Sequence, residues 1–127
     1  MNTKYKFRGT APDFKRIVEE NPTANAVLVV AGPAECESIL LVRSDVRSVR
    51  AASDRAGVDC SVAMGLPSEP VAGFTMNGRP TWWMNITGDP PFPGWCYCCH
   101  AVPANLRRVA QALAEEPNRA TSVEVIW

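Results

Sequence analysis

The segment Ala26-Val27-Leu28-Val29-Val30-Ala31 is apolar without alternation and rich in β-branched residues. That pattern belongs to a strand covered on both faces, so this segment is expected at the centre of a sheet. Gly32-Pro33-Ala34-Glu35 reads as a turn into a second strand, Ser38-Ile39-Leu40-Leu41-Val42, and so short a connection favours an antiparallel pair. Upstream, Lys4-Tyr5-Lys6-Phe7-Arg8 places two aromatics on one face and three cations on the other, as a half-exposed strand does. Thr10 is a candidate N-cap for a first helix that puts Phe14, Ile17 and Val18 on one face and stops at Asn21-Pro22.

In the second half, Ser44 is a candidate cap for a helix running to Gly57, with Val46, Val49 and Ala56 inward and Ser53 interrupting a narrow apolar stripe. Val58-Asp59-Cys60-Ser61-Val62 alternates, which points Cys60 into the core between two valines. Val71–Met76 and Thr81–Ile86 flank Asn77-Gly78, a strong hairpin signal, although Pro80 limits pairing where the second strand begins. Pro103 suits the first turn of a third helix whose face carries Leu106, Val109, Ala110, Leu113 and Ala114 and which ends before Pro117-Asn118. Val123, Val125 and Trp127 alternate in a last strand. The resulting order, β-α-β-β-α-β-β-β-α-β, predicts an α+β fold: one domain over residues 1–127, with a mixed or mostly antiparallel sheet and about three helices packed on it.

Composition narrows the function classes. At 127 residues the chain is long enough to bury one core without disulfides or metal. Thirteen Lys plus Arg offset thirteen Asp plus Glu, which removes the general positive field that nucleic-acid or membrane-surface binding uses, so neither partner is expected. The residues after Met1 form no apolar run, and Ala26 to Ala31 is far shorter than the roughly 20 residues of a membrane helix. Five cysteines, an odd number at spacings unlike a secreted disulfide framework, favour reduced thiols; a cytoplasmic protein is expected. No cofactor is called for.

The densest chemistry lies in Gly94-Trp95-Cys96-Tyr97-Cys98-Cys99-His100. Cys96 and Cys99 form a C-x-x-C pair ahead of the third helix, where a helix dipole lowers a thiol pKa and favours an attacking thiolate, Cys96, with Cys99 resolving. Trp95, Cys96 and Cys99 with the helix behind them locally resemble the W-C-x-x-C segment of the thioredoxin family, which implies thiol-disulfide oxidoreductase activity. The resemblance covers about twenty residues. It departs from the family in the proline-rich insertion from Gly88 to Gly94, in Pro103, and in having one later strand only.

Cys96, Cys98, Cys99 and His100 are also zinc-capable donors, yet contiguous donors do not surround one ion and no second paired-donor half closes the site. Cys96 and His100, four apart, would meet on a helical turn with Asp89 as an orienting carboxylate, the outline of a Cys-His hydrolase. The plainest reading keeps one or two of the cysteines as small hydrophobes under the third helix.

Arg43, Arg47 and Arg50, with Arg107 and Arg108, offer an anion site, weighed against a solvated face paired with carboxylates such as Asp54. Trp82 and Trp83 fall on opposite faces of one strand, so one of them needs cover from a helix, loop, ligand or second subunit. Asp89-Pro90-Pro91-Phe92-Pro93 is a candidate lid. Together these features favour a non-enzymatic binding protein. Its small-molecule or protein partner is expected near Trp83, Phe92, Trp95, Tyr97 and His100, and a homodimer is a natural assembly. The competing expectation is an oxidoreductase built on Cys96 and Cys99.

Overall fold

Two continuous apolar strands set the architecture, seen in a computed structural model that describes residues 2–4, 14–30, 38–66, 75–76, 79–80, 92–100, 102–115 and 122–126. In chain order the elements are β1 (Asn2–Lys4), α1 (Phe14–Glu20), β2 (Ala26–Val30), β3 (Ser38–Val42), α2 (Val46–Ala56), β4 (Ser61–Met64), β5 (Thr75–Met76), β6 (Arg79–Pro80), β7 (Cys96–His100), α3 (Pro103–Ala114) and β8 (Ser122–Ile126). Three helices and a mixed sheet make this the α+β class that the residue pattern predicts.

Every residue of β2 and β3 is buried, and the two strands pair antiparallel with Leu28 opposite Leu40. β8 joins the far side of β2 in parallel and β1 extends β8, while β7 joins β3 antiparallel and β4 closes the edge against β7. The six-stranded order is β1-β8-β2-β3-β7-β4. Strand alternation then divides the interior into two layers. Leu28, Leu40, Val42, Cys96 and Cys98 face α2 and α3 through Val49, Ala52, Leu106 and Val109. Val27, Val29, Ile39, Leu41, Tyr97 and Val125 face α1 through Phe14, Ile17 and Val18. Covering both faces explains why β2 and β3 carry no polar alternation.

β7 is the strand that the residue pattern did not reveal. Cys, Tyr and His at its positions give no period-two polarity, because the strand lies inside the sheet with both neighbours and both faces occupied. Elsewhere the boundaries shift locally. α2 is capped by Asp45 and not by Ser44: the Asp45 Oδ1 accepts the Ser48 amide at 2.7 Å. Gly57 ends the helix at φ 69°, the left-handed conformation that a residue with a Cβ resists. β4 starts at Ser61 and not at Val58. Ser53 is buried within the stripe that it was expected to interrupt, because its hydroxyl donates to the Val58 carbonyl. Met76 pairs with Arg79 and Thr75 with Pro80, the register expected across Asn77-Gly78, while the outer hairpin arms, Thr10 and Trp127 lie outside the described residues.

α2 and α3 are cross-linked at their ends. Arg108 donates to the Ala56 carbonyl and Arg55 to the Ala112 carbonyl, so each C-terminal turn receives a cation from the other helix, as the helix dipole favours. Arg107 pairs with Glu124 of β8 at 2.5 Å, so it serves the helix–sheet contact. Among the described residues no helix is long and apolar enough to cross a membrane.

Core position and surface cap separate in magnitude. Replacing Leu40, 0% exposed, by Ala is expected to cost about 2–5 kcal/mol in urea melts. Asp45→Ala, which removes the cap, is expected to cost about 1 kcal/mol.

Candidate functional site

Alternation along β7 separates the residues that the chain clusters. Cys96 and Cys98 turn toward α2 and α3, whereas Trp95, Tyr97 and Cys99 belong to the opposite layer. Cys96 and Cys99 are therefore on opposite faces of the sheet and roughly 10 Å apart along the strand. A disulfide needs Cα atoms within about 7 Å and converging side chains, so the C-x-x-C pair cannot close one in this fold. The helix dipole invoked for Cys96 is also remote, since α3 begins at Pro103, after the whole of β7. The likeness to a W-C-x-x-C segment is thus one of spacing, carried here by a strand.

The same geometry disposes of the other contiguous-donor readings. Cys96 and His100 share a face but are four strand residues apart, about 13 Å, where a helical turn would have brought them together. Asp89 lies outside the described residues. No three potential metal-ligating side chains converge among the described residues. His100 instead organises the start of α3, whose N-cap residue Val102 supplies no side-chain bond. Its Nδ1 accepts the Val102 amide at 2.9 Å, and its Nε2 lies 3.4 Å from the Asn105 Nδ2.

Of the residues expected at a binding surface, Phe92 and Trp95 do come together. Trp95 N–H donates to the Phe92 carbonyl at 3.2 Å across Pro93 and Gly94, with Gly94 at φ 84°. Proline followed by a positive-φ glycine is the signature of a type II turn. The turn delivers Trp95 into the layer under β3 while keeping Phe92 partly open. The Arg43 guanidinium lies 4.8 Å from the centroid of the Trp95 ring and donates to the Pro22 carbonyl at 3.0 Å, holding the indole from the other side. Tyr97 is buried in the same layer at 2% exposure, and Trp83 lies outside the described residues.

This turn forms one wall of a cleft of about 600 Å³. The second wall is the start of α2, Ser44 to Val46, and the third is the end of β4, where Met64 is 75% exposed and the Gly65 amide donates to the Trp95 carbonyl at 2.8 Å. Cys96, buried, closes the floor. The walls are mainly apolar, with Ser44 and Asp45 as their polar members, and the Ser44 Oγ is buried and makes no hydrogen bond. An unsatisfied buried hydroxyl is costly. Ser44 and Met64 escaped the sequence reading because one was assigned to a helix cap and the other lay beyond the expected end of a strand. The proline and glycine at 93–94 were the legible signal.

A second concentration of chemistry lies on the helix-covered face. Cys60 is partly exposed just before β4, and its Sγ is 3.3 Å from the Ser53 Oγ. The Cys98 thiol, a potential donor to a Cys60 thiolate, holds the Cys60 pKa down at about 6; burial and the carboxylates of Asp59 and Asp54 oppose this, and Ser53 adds to it. Ser53 has one proton, shared between the Val58 carbonyl and Cys60, so Cys98 is the dominant donor. Donation to Cys60 and burial push the Cys98 thiol up. One sulfur of the pair carries the charge and the other keeps its proton. Cys60 was expected inside the core; it is half out because β4 is the edge of the sheet.

Cys60 alkylation by iodoacetamide should accordingly rise with pH through a midpoint near 6, well below an ordinary thiol's 9.0, as followed by mass spectrometry. Cys98→Ala, which removes the donor, should move that midpoint upward, while Cys98 in the unaltered protein stays unmodified. No protein-family model, curated protein or solved structure matches the chain, so the functional reading rests on this geometry.

Proposed function

We propose that the chain is a non-enzymatic binding protein that takes a small, mainly apolar ligand in the cleft between the start of α2, the end of β4 and the Phe92–Trp95 turn. The observation that carries this reading is the combination of an apolar cleft with a single unsatisfied hydroxyl, Ser44, in its wall. Its volume falls in the range of roughly 300–1,000 Å³ typical of small-molecule sites, whose pattern is apolar walls and a few placed polar groups. A ligand with an apolar ring or chain against Phe92, Trp95 and Met64, and one donor or acceptor at Ser44, matches that pattern.

Binding without catalysis is favoured by the state of the acidic group at the cleft. The Asp45 carboxylate accepts the Ser48 amide at 2.7 Å and the Ser48 hydroxyl at 3.2 Å, which makes it a helix cap and a poor base. Cys96 has no imidazole beside it, since His100 is at the other end of β7. A protein partner or a second copy of the chain is the competing occupant, and Met64 on the edge strand would be its contact.

Anilinonaphthalene sulfonate, a fluorescent probe of apolar clefts, should bind the folded protein at one site with a blue shift. Met64→Glu changes an exposed side chain that the core does not need, and Phe92→Ala removes an aromatic wall; each should weaken binding about tenfold, the equivalent of one lost apolar contact. Ser44→Ala should leave this probe's affinity within about twofold, because the hydroxyl is reserved for a polar ligand atom. Absence of saturable binding, or binding indifferent to Met64 and Phe92, overturns the small-ligand reading. Sedimentation of a dimer that Met64→Glu dissociates would assign the cleft to a second copy instead.

A further inference from the structure

Apart from the cleft, the helix-covered face of the β4–β7 pair holds two thiols that no other role accounts for. We propose that Cys60 and Cys98 form a dithiol oxidised by hydroperoxides, with Cys60 the attacking sulfur and Cys98 the resolving one, closing a disulfide between the α2–β4 connection and β7.

The geometry selects this pair among the described cysteines. Val62 is opposite Cys98 in the β4–β7 register, so Cys60, two residues before Val62, lies diagonally across from Cys98 on the same face. Cys98 is buried in the helix-covered core layer, and Cys60 packs against that same layer. Cys60 precedes the first paired residue of β4, Ser61, so its backbone is outside the ladder and free to move its sulfur the last short distance. Cys99 points to the opposite layer, and Cys96 is two residues farther along β7.

Access assigns the roles. Cys60 is partly exposed in the wall of a pocket of about 520 Å³, whereas Cys98 is fully buried. The thiolate is the nucleophile, and the low pKa of Cys60 supplies it at neutral pH. Asp54 and Asp59 flank the sulfur, with Arg50 farther along the same pocket. Two carboxylates beside the target disfavour anionic oxidants such as glutathione disulfide and leave a small neutral hydroperoxide as the preferred class.

The chemistry balances. The Cys60 thiolate attacks one peroxide oxygen; an S–O bond forms, the O–O bond breaks, and the departing oxygen takes up a proton to leave as water or alcohol, giving a sulfenic acid. The Cys98 sulfur then attacks the Cys60 sulfur; the S–S bond forms, the S–O bond breaks, and hydroxide leaves as water with the Cys98 proton. Two thiols are oxidised by two electrons in total, and the peroxide is reduced by the same two.

The test treats the reduced full chain with one equivalent of hydrogen peroxide, blocks the remaining thiols and maps peptides by mass spectrometry. The expected product is a Cys60–Cys98 disulfide that dithiothreitol reverses. Cys98→Ser should stop at a Cys60 sulfenic acid trapped by dimedone, and Cys60→Ser should slow thiol loss about tenfold or more. The map of the unaltered protein needs no variant to fold. A Cys60 that stays reduced, goes to sulfinic acid without a disulfide, or bonds to another cysteine overturns the proposal, as does oxidation by glutathione disulfide in preference to peroxide. None of these outcomes depends on whether the cleft binds a ligand.

Discussion

The antiparallel pairing of β7 with β3 and β4 is the constraint on which the functional geometry depends. With Val42 opposite Cys96 and Leu40 opposite Cys98 on one side, and Met64 opposite Cys96 and Val62 opposite Cys98 on the other, the direction of every β7 side chain is set. A one-residue slip would turn Tyr97 toward α2 and α3 and Cys98 toward α1, exchanging a ring for a thiol in two packed layers. Fully buried side chains of this kind each stabilise by roughly 1.5–3 kcal/mol, so neither layer accommodates the exchange cheaply. Both sites hang from this ladder. The cleft forms where Met64 and Cys96 end it, and the thiol pair forms where Cys60 approaches it at the other end.

Buried hydroxyls show how the interior treats polarity. Ser38 on β3 gives its proton to the His100 carbonyl at 2.8 Å, which ties the last residue of β7 to the central strand. Ser53 gives its own to the Val58 carbonyl at the turn out of α2. Both hydroxyls are satisfied by backbone carbonyls, which lets a hydroxyl sit in an apolar layer at little net cost. Ser44 breaks the pattern, and it does so beside the cleft. Among the described buried side chains, its hydroxyl is the one left without a partner.

Much of the fold was legible because its strongest elements are locally self-consistent. β2 announces a doubly covered strand, the 3.6-residue spacing of Leu106, Val109, Ala110 and Leu113 announces α3, and Asn77-Gly78 places the β5–β6 turn. The turn at Pro93-Gly94 and the meeting of Phe92 with Trp95 were also readable from local chemistry. β7 was not, because its residues look like a motif: three cysteines and a histidine suggest chemistry at one point, and only the sheet reveals that they alternate between layers. Cys60 with Cys98 was illegible for a related reason. Their 37 intervening positions carry no pairing signal, and the contact exists because β4 docks beside β7. Sequence spacing favoured Cys96 and Cys99, whereas space favours Cys60 and Cys98.

The central claim, that residues 96–100 are an interior strand, is tested most directly by native-state hydrogen exchange resolved to single amides. An interior β7 predicts that the Tyr97 to Cys99 amides exchange as slowly as those of β2 and β3, through global opening. Exchange of these amides at the rate of an exposed loop, with β2 and β3 still protected, would contradict the strand and remove the common support of both sites.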